Sequence, residues 1–379
     1  MTAALPRRRI CFVLPSLAGG GAERAAVQIL NGLDGDVWDR TMYLFSREGP
    51  YLGDVDAGVT VASGARASRL GRWLDLRRSL RASRPEIVVA FLSYFTVLTA
   101  ARAAGVGTRV VFNQQTPLSA FLDDADYGWR GRGAQALFTT VARWAYAAAD
   151  LVIATSTGVA DDLRQRLGVD ATKLRVIPNP VDLDAVRAGA TEPLDPAHAA
   201  AWRAPVIVAA GRLAEAKNYP LLIEALALVR ERVPATLFVL GQGDQASALQ
   251  ALARARGVED AIVWCGFQSN PWKYMARADV FALTSRYEGF GNVLVEAMAC
   301  GVPVVATASP GTRDIVEDGV SGRLVEAHTA EAVAEGLLAV LTDPAAQGQL
   351  AEGARHSSEK YGRDPVASRY GAVLQEARA

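Results

Sequence analysis

Glu288 and Glu296 bracket the run Glu288-Gly289-Phe290-Gly291-Asn292-Val293-Leu294-Val295-Glu296, which follows an apolar stretch ending at Leu283. Gly289 and Gly291 let the backbone turn its N–H groups outward where a helix begins, which makes a nest for an anion. A carboxylate beside a phosphate would repel it, so Glu288 needs a different partner. Accepting hydrogen bonds from sugar hydroxyls is one such use. Glu296 stands among Val295, Ala297 and Met298, where a carboxylate requires donors. A solvated place on the helix surface is its other reading.

Two cations supply the complementary chemistry. Gly211-Arg212-Leu213 follows the apolar run Val206–Ala210, and Lys217-Asn218 opens the next helix. Arg212 and Lys217 flanking a strand-to-helix loop make a seat for a diphosphate, in which formal charge outweighs the modest helix-terminus contribution of about 0.3–1 kcal/mol. Taken alone, both also fit an ordinary surface. Gly241-Gln242-Gly243-Asp244 closes a further strand in the same way. Near the N-terminus, Gly19-Gly20-Gly21-Ala22-Glu23-Arg24 follows the first strand and opens a helix. The dinucleotide fingerprint requires glycine where Arg24 stands, so a nicotinamide or flavin cofactor is not expected. A tight turn alone is the plainer reading of this loop.

These loops need elements to hold them. Strands are expected at Ile10–Leu14, Thr41–Phe45, Ile87–Phe91, Arg109–Phe112, Leu151–Ala154 and Arg175–Ile177. A second series is expected at Val206–Ala210, Thr236–Leu240, Ile262–Trp264, Val280–Leu283 and Val302–Ala306. Most are rich in Val and Ile on both faces, the mark of parallel strands covered by helices. Helical patterns over 22–33, 70–84, 134–149, 220–232 and 330–341 fill the gaps. The alternation implies an α/β fold with an open parallel sheet in each half. In such sheets ligands bind beyond the carboxyl ends of the strands, where the glycine loops fall. The seam is expected at Pro178-Asn179-Pro180, followed by a Pro- and Ala-rich linker over 191–205. The domains are accordingly 1–184, with a C-terminal helix within 363–379 crossing back, and 185–362.

The bulk composition narrows the classes. The 379 residues suit two domains of about 100–200 residues. Lys plus Arg and Asp plus Glu both number 40, so nothing in the overall charge argues for nucleic acid. Cys11, Cys265 and Cys300 lie in apolar runs at wide spacing, which suits buried thiols in a reducing compartment rather than a disulfide framework. Arg7, Arg8 and Arg9 before Ile10–Leu14 imitate a signal peptide, but Pro15 cuts the apolar run short and a first strand fits better. A cytoplasmic chain, with or without contact with the inner face of the membrane, is the expectation.

At these residues the sequence resembles the retaining glycosyltransferase family 4, which has the GT-B fold of two Rossmann-like doubly wound domains facing across a cleft. The resemblance spans nearly the whole chain. It rests on E-G-F-G-N-V-L-V-E-A-M-A-C-G-V-P at 288–303, G-R-L-A-E-A-K-N-Y at 211–219, I-P-N-P-V-D at 177–182, G-Q-G-D at 241–244 and L-A-G-G-G-A-E-R at 17–24. It implies transfer of a sugar from a nucleoside diphosphate sugar, with UDP favoured, to a glycan or lipid-diphosphate-linked saccharide in cell-surface polysaccharide synthesis. No cofactor or metal is implied. Arg212 and Lys217 would bind the donor diphosphate, with Gly241 in the neighbouring loop. Glu288 and the backbone of Gly289, Phe290 and Gly291 would hold the transferred sugar, and Asn292 and Leu294 would belong to the donor-binding set. Glu296 would bind the ribose, Gly266 and Phe267 the base. Gly20 and Gly21 would approach the phosphate from the first domain.

One departure matters. Many relatives carry a histidine after the strand matched by Arg109–Phe112, whereas this chain has Asn113-Gln114-Gln115-Thr116 there. Its histidines, His198, His328 and His356, all lie later. Asn113, Gln114 and Gln115 could hydrogen-bond a sugar or acceptor, but an amide is no general base. A front-side mechanism without a protein base is the expected consequence. Asp-x-Asp pairs at 34/36, 54/56, 124/126 and 182/184 read as turn and cap residues rather than metal ligands.

Between Arg66 and Arg84 stand seven arginines and one acid, Asp75, interleaved with Leu70, Trp73, Leu74 and Leu80. A basic helix with an aromatic anchor fits an anionic membrane surface or a lipid diphosphate. A solvated helix with its leucines packed inward fits equally well. Trp129-Arg130-Gly131-Arg132 adds to the first reading. Two other functions share this architecture: a nucleotide-sugar epimerase, which needs acid/base residues, and a catalytically silent nucleotide-sugar-binding scaffold.

Overall fold

The computed structural model describes residues 7–123, 132–203 and 205–376. Its contacts divide the chain into two units, Met1–Pro180 with Arg363–Ala379, and Val181–Gly362.

The first unit is a seven-stranded sheet of β1 (Arg8–Leu14), β2 (Trp38–Leu44), β3 (Thr60–Ser63), β4 (Ile87–Phe91), β5 (Arg109–Gln114), β6 (Leu151–Ala154) and β7 (Leu174–Val176). The order is β3-β2-β1-β4-β5-β6-β7 and every pair is parallel. Alternation along β1 sends Cys11 and Val13 into one core and Ile10, Phe12 and Leu14 into the other. From Ile10 onward the strand is therefore apolar and buried, as a two-sided parallel sheet requires. The final helix, Arg363–Glu376, closes the second of these cores. Val366, Tyr370 and Leu374, at helical spacing, pack with Ile10, Phe12 and Phe91.

The second unit has β8 (Val206–Ala210), β9 (Thr236–Leu240), β10 (Ile262–Gly266), β11 (Val280–Leu283), β12 (Val304–Thr307) and β13 (Gly322–Val325), again parallel, in the order β10-β9-β8-β11-β12-β13. The strand order reverses between β8 and β11, as it does between β1 and β4 in the first unit. Such reversals open a crevice at the carboxyl ends of the strands.

The differences from the sequence reading have local causes. β3 and β13 were not expected; Thr60–Ser63 is a sheet edge with no fully buried residue, and β13 opens on a glycine. β12 starts at Val304 rather than Val302 because the carbonyl of Pro303 accepts from Phe281 N while proline itself donates nothing. The unit boundary falls at Pro180 rather than 184. Val181 N already donates to Tyr361 O at 2.8 Å, and Leu183 and Val186 belong to the second core. The stretch 191–205 is not a free linker: it carries the helix Pro196–Ala201, and Trp202 packs its ring 4.5 Å from that of Phe238.

Candidate active site in the second unit

The loops after β8 and β11 meet at the reversal point of the second sheet. After β8, the backbone passes Gly211, turns through Glu215–Lys217 and reaches the helix Tyr219–Arg230, with Asn218 left-handed at φ 49°. Thr284, at the end of β11, ties the two loops together: its hydroxyl donates to the carbonyls of Lys217 (3.3 Å) and Asn218 (3.1 Å). Arg286 N donates to Ala216 O at 2.9 Å. The result brings Lys217 Nζ to 2.5 Å from Glu288 Oε1, which also accepts from Ser285 Oγ at 2.7 Å. Burial and the negative charge of Glu288 hold the Tyr219 hydroxyl well above the usual phenol range. Arg212 is exposed, and among the described residues its guanidinium has no partner.

The glycines of this region have identifiable reasons. Gly241 has φ 153°, and a Cβ there would stand 1.9 Å from the carbonyl oxygen of Gly211. The loop after β9 thus lies backbone to backbone on the loop after β8, further joined by Leu213 N to Gln242 O at 2.9 Å. Gly241 therefore has a packing role of its own. Gly311, which the sequence did not single out, lies under the 288–290 loop: its N–H donates to Glu288 O at 3.1 Å. A Cβ there would be 2.6 Å from Phe290 O and 2.8 Å from Glu288 O. Thr312 beside it is fully buried and donates to Thr307 O at 2.8 Å. Phe290 is buried against Tyr361, ring centres 5.3 Å apart.

The helix Asn292–Ala299 starts at Gly291, left-handed at φ 105°, and carries Leu294 and Glu296 on its buried side. Glu296 is 7% exposed and accepts from Trp272 Nε1 at 2.9 Å, so the solvated reading of this residue does not hold. Trp272 also escaped the sequence reading, since nothing in N-P-W after β10 marks an indole as a carboxylate donor. Gly266 ends β10 at φ 66°, and the next side chain, Phe267, is 70% exposed.

A model of Glycosyltransferase Family 4 matches residues 19–185, and one of Glycosyl transferases group 1 matches residues 192–357. Both units are glycosyltransferase domains. The N-acetylgalactosamine-N,N'-diacetylbacillosaminyl-diphospho-undecaprenol 4-alpha-N-acetylgalactosaminyltransferase of Campylobacter jejuni is 35% identical over 199 residues, 52% of this chain and 52% of its own length. The lipopolysaccharide core biosynthesis glycosyltransferase LpsE of Rhizobium meliloti is 36% identical over 150 residues, 39% of this chain and 43% of its own. The chain thus spans about half the length of the curated relatives it matches. Among solved structures, Anabaena HepE in complex with UDP superposes with a TM-score of 0.80 at 22% identity, covering 97% of this chain and 100% of that one. The fold is GT-B.

In the family 4 unit, Gly20 caps the helix Gly21–Gly32, and the Glu23 carboxylate folds back over it, where a methyl group on Gly20 would clash. Asn113 and Gln115, expected at a sugar or acceptor, are buried and bonded to protein groups. Asn113 is fully buried; its amide donates to Tyr370 Oη, and its carbonyl accepts from Gln115 Nε2. Gln115 completes the chain with a pair of bonds to Asn179 at 2.8 and 3.2 Å. These amides fasten the end of β5 to the interunit segment and the last helix. Gln114 is bonded to Tyr146 Oη and, at 2.5 Å, to Thr116 O.

The basic helix, Arg69–Ser83, buries Leu76 and Leu80, and Trp73 is half-buried with its Nε1 donating to Thr99 Oγ1 at 3.0 Å. Leu80 and Trp73 therefore serve the core, and Leu70, 68% exposed, is left on the surface. Asp34, Asp56 and Asp182 accept from nearby backbone N–H groups, as turn and cap residues do. The pair 124/126 and the loop 129–131 lie outside the described residues. Among the described residues no group of three His, Cys, Asp or Glu is placed to hold a metal, and no helix is long and apolar enough to cross a membrane.

Proposed function

We propose that this chain is a retaining glycosyltransferase that moves a sugar from a nucleoside diphosphate sugar, UDP favoured, to a hydroxyl of a lipid-linked or surface-polysaccharide acceptor. The reading rests on Lys217 and Glu288, a cation and a carboxylate in hydrogen-bond contact at the sheet reversal, with the exposed Arg212 nearby in sequence. Arg212 and Lys217 would take the diphosphate charge, together with the N–H groups where the helix Asn292–Ala299 begins. Glu288 would exchange part of its contact with Lys217 for sugar hydroxyls, and Glu296, held by Trp272, would receive the ribose. The relatives named above act in lipid-linked and lipopolysaccharide synthesis by their names, and UDP is the ligand of the HepE complex.

In the front-side mechanism the bond from the sugar's anomeric carbon to the diphosphate breaks. The acceptor oxygen bonds to that carbon on the same face, and its proton passes to the departing phosphate oxygen. Configuration is retained without a protein base, and the chain contributes positioning and charge stabilisation. Calorimetric titration with UDP, GDP and ADP, followed by radiolabelled sugar transfer to a membrane extract, tests the proposal. Binding of one diphosphate with transfer supports it. Binding without transfer or hydrolysis favours the silent scaffold, and normal turnover in a folded Arg212→Ala/Lys217→Ala variant overturns the site.

A further inference from the structure

The first unit contains a groove that the donor chemistry does not use. It has a volume of about 580 Å³ and opens beside the carboxyl ends of β4 and β5. Its walls come from the segment after β4 and from the helix Arg132–Ala148, with Tyr94, Phe138 and Tyr146 deep and Leu92, Phe95 and Val141 at the mouth. That volume is within the range of about 300–1,000 Å³ usual for small-molecule sites.

Three observations say that something apolar belongs there. Leu70, Leu92, Phe95, Leu137, Val141 and Trp144 are six of the eight large hydrophobic side chains exposed among the described residues, and Leu92, Phe95 and Val141 of them line the groove. Three of them, Leu137, Val141 and Trp144, follow each other at helical spacing, and the Trp144 ring lies 5.9 Å from Phe95 at the groove's mouth. A concentration of this kind marks a binding surface, whereas scattered apolar residues do not. Leu92 is left-handed at φ 68°, a conformation unfavourable for a non-glycine residue, and is 39% exposed on the groove wall.

The polar groups define the other end of the occupant. Arg69 and Ser93 line the groove. Among the described residues, neither the Arg69 guanidinium nor the Ser93 hydroxyl has a partner. Gln114 and Tyr146, also on the wall, satisfy each other. An apolar trough with Arg69 and Ser93, unpartnered among the described residues, at its side complements an amphiphile whose head is anionic. A peptide segment would leave its backbone N–H and C=O groups unmatched against these walls, whereas a hydrocarbon chain has none to match.

We propose that this groove seats the hydrocarbon chain of a lipid diphosphate acceptor, with Arg69 and Ser93 at the diphosphate. The inference rests on the acceptor class proposed above and assigns that class a place in the chain.

The test uses the full chain and farnesyl diphosphate, with inorganic diphosphate and farnesol as comparison ligands, by calorimetry below the micelle concentration. Farnesyl diphosphate should bind at least about tenfold tighter than either comparison ligand. Val141→Trp, which fills the mouth from an exposed helix position, should weaken that binding about tenfold or more, and Arg69→Ala should do likewise. Equal affinity for farnesyl diphosphate and inorganic diphosphate overturns the proposal, as does unchanged binding in Val141→Trp of native melting temperature. So does binding to phosphatidylglycerol vesicles that Val141→Trp lowers while farnesyl diphosphate does not bind, which would make the patch a membrane surface. A sedimenting dimer abolished by Trp144→Glu, again with no farnesyl diphosphate bound, would make it a contact between copies. UDP binding is measured in the same samples. Lost farnesyl diphosphate binding with UDP binding intact sinks the groove alone, and the converse sinks the donor reading alone.

Discussion

Lys217 Nζ lies 2.5 Å from Glu288 Oε1, and the two side chains come from loops that follow the adjacent strands β8 and β11. Glu288 is largely covered, its side chain 12% exposed, so the pair matters to stability as well as to ligand binding. Lys217→Met leaves a mostly buried carboxylate with Ser285 as its remaining partner, and such an orphan charge is costly. The variant should melt lower than the parent, and adding Glu288→Gln should restore much of the loss, the non-additivity expected of contacting residues.

The same pair separates binding from turnover. A charge-assisted contact contributes about 1.5–3 kcal/mol, so Lys217→Met should weaken UDP about tenfold or more. Glu288→Gln keeps the diphosphate cations and should leave UDP affinity within about threefold. Its transfer rate should fall by about a hundredfold or more, because the carboxylate is assigned to the reacting sugar. Calorimetry and radiolabelled transfer on the two variants check both outcomes. Equal loss of UDP affinity in both would contradict the assignment of separate roles.

Gly311→Ala tests the support of the Glu288 loop. The added methyl would meet the carbonyl oxygens of Phe290 and Glu288 at 2.6 and 2.8 Å, and backbone cannot yield as a side-chain tip does. The loop must shift, and a displacement of about 1 Å at a reacting group can cost about a hundredfold in rate. The transfer rate should drop by about that factor, with the far-ultraviolet circular dichroism of the parent. Parental kinetics would show that the loop position does not set turnover.

Much of this could be read from the chain alone, and what could not has a physical reason. The strands Ile87–Phe91, Leu151–Ala154, Val206–Ala210, Thr236–Leu240 and Val280–Leu283 were legible because both faces are buried, which writes an unbroken apolar run. β3 is an edge strand whose residues are half-buried or exposed, and such a strand writes no pattern. Glu288, Lys217 and Arg212 were legible as charges at glycine loops, but the contact between Lys217 and Glu288 was not, because 71 residues separate them. The buried partners of Asn113 and Gln115 were not legible for the same reason. Their partners, Tyr370 and Asn179, are brought to β5 only by the fold, and without those partners a run of amides after a strand looks ligand-facing.

Burial pushes the Cys11, Cys265 and Cys300 thiols up from 9.0 to about 12. An unfolded thiol releases its proton above about pH 9, whereas the folded one holds it until about 12. Raising the pH through that window therefore favours the unfolded chain, and the full contribution to stability is present only below pH 9. Denaturant midpoints should fall between pH 9 and 11, less steeply in Cys11→Ala. With a thiol-reactive disulfide reagent at pH 8, the native chain should react slowly and the urea-unfolded chain should give three thiols.

Tyr370→Phe removes the hydroxyl that accepts from the buried amide of Asn113. Both side chains are 0% exposed, so no water replaces the lost partner without entering the core. An unsatisfied buried donor costs about 1–3 kcal/mol, and the phenyl ring itself keeps its place among Ile10, Phe12 and Leu374. The melting temperature should fall by several degrees while UDP affinity stays at the parental value, since the proposed donor residues 212, 217, 288 and 296 belong to the other unit. Asn113→Leu in the same background replaces the orphaned amide with an apolar side chain of similar size, and it should recover part of the loss. Gln115 limits that recovery, because its own amide loses the Asn113 oxygen and keeps only Asn179. If Tyr370→Phe melts like the parent, the amide chain does not fasten the last helix, and apolar packing by Val366 and Leu374 holds it unaided.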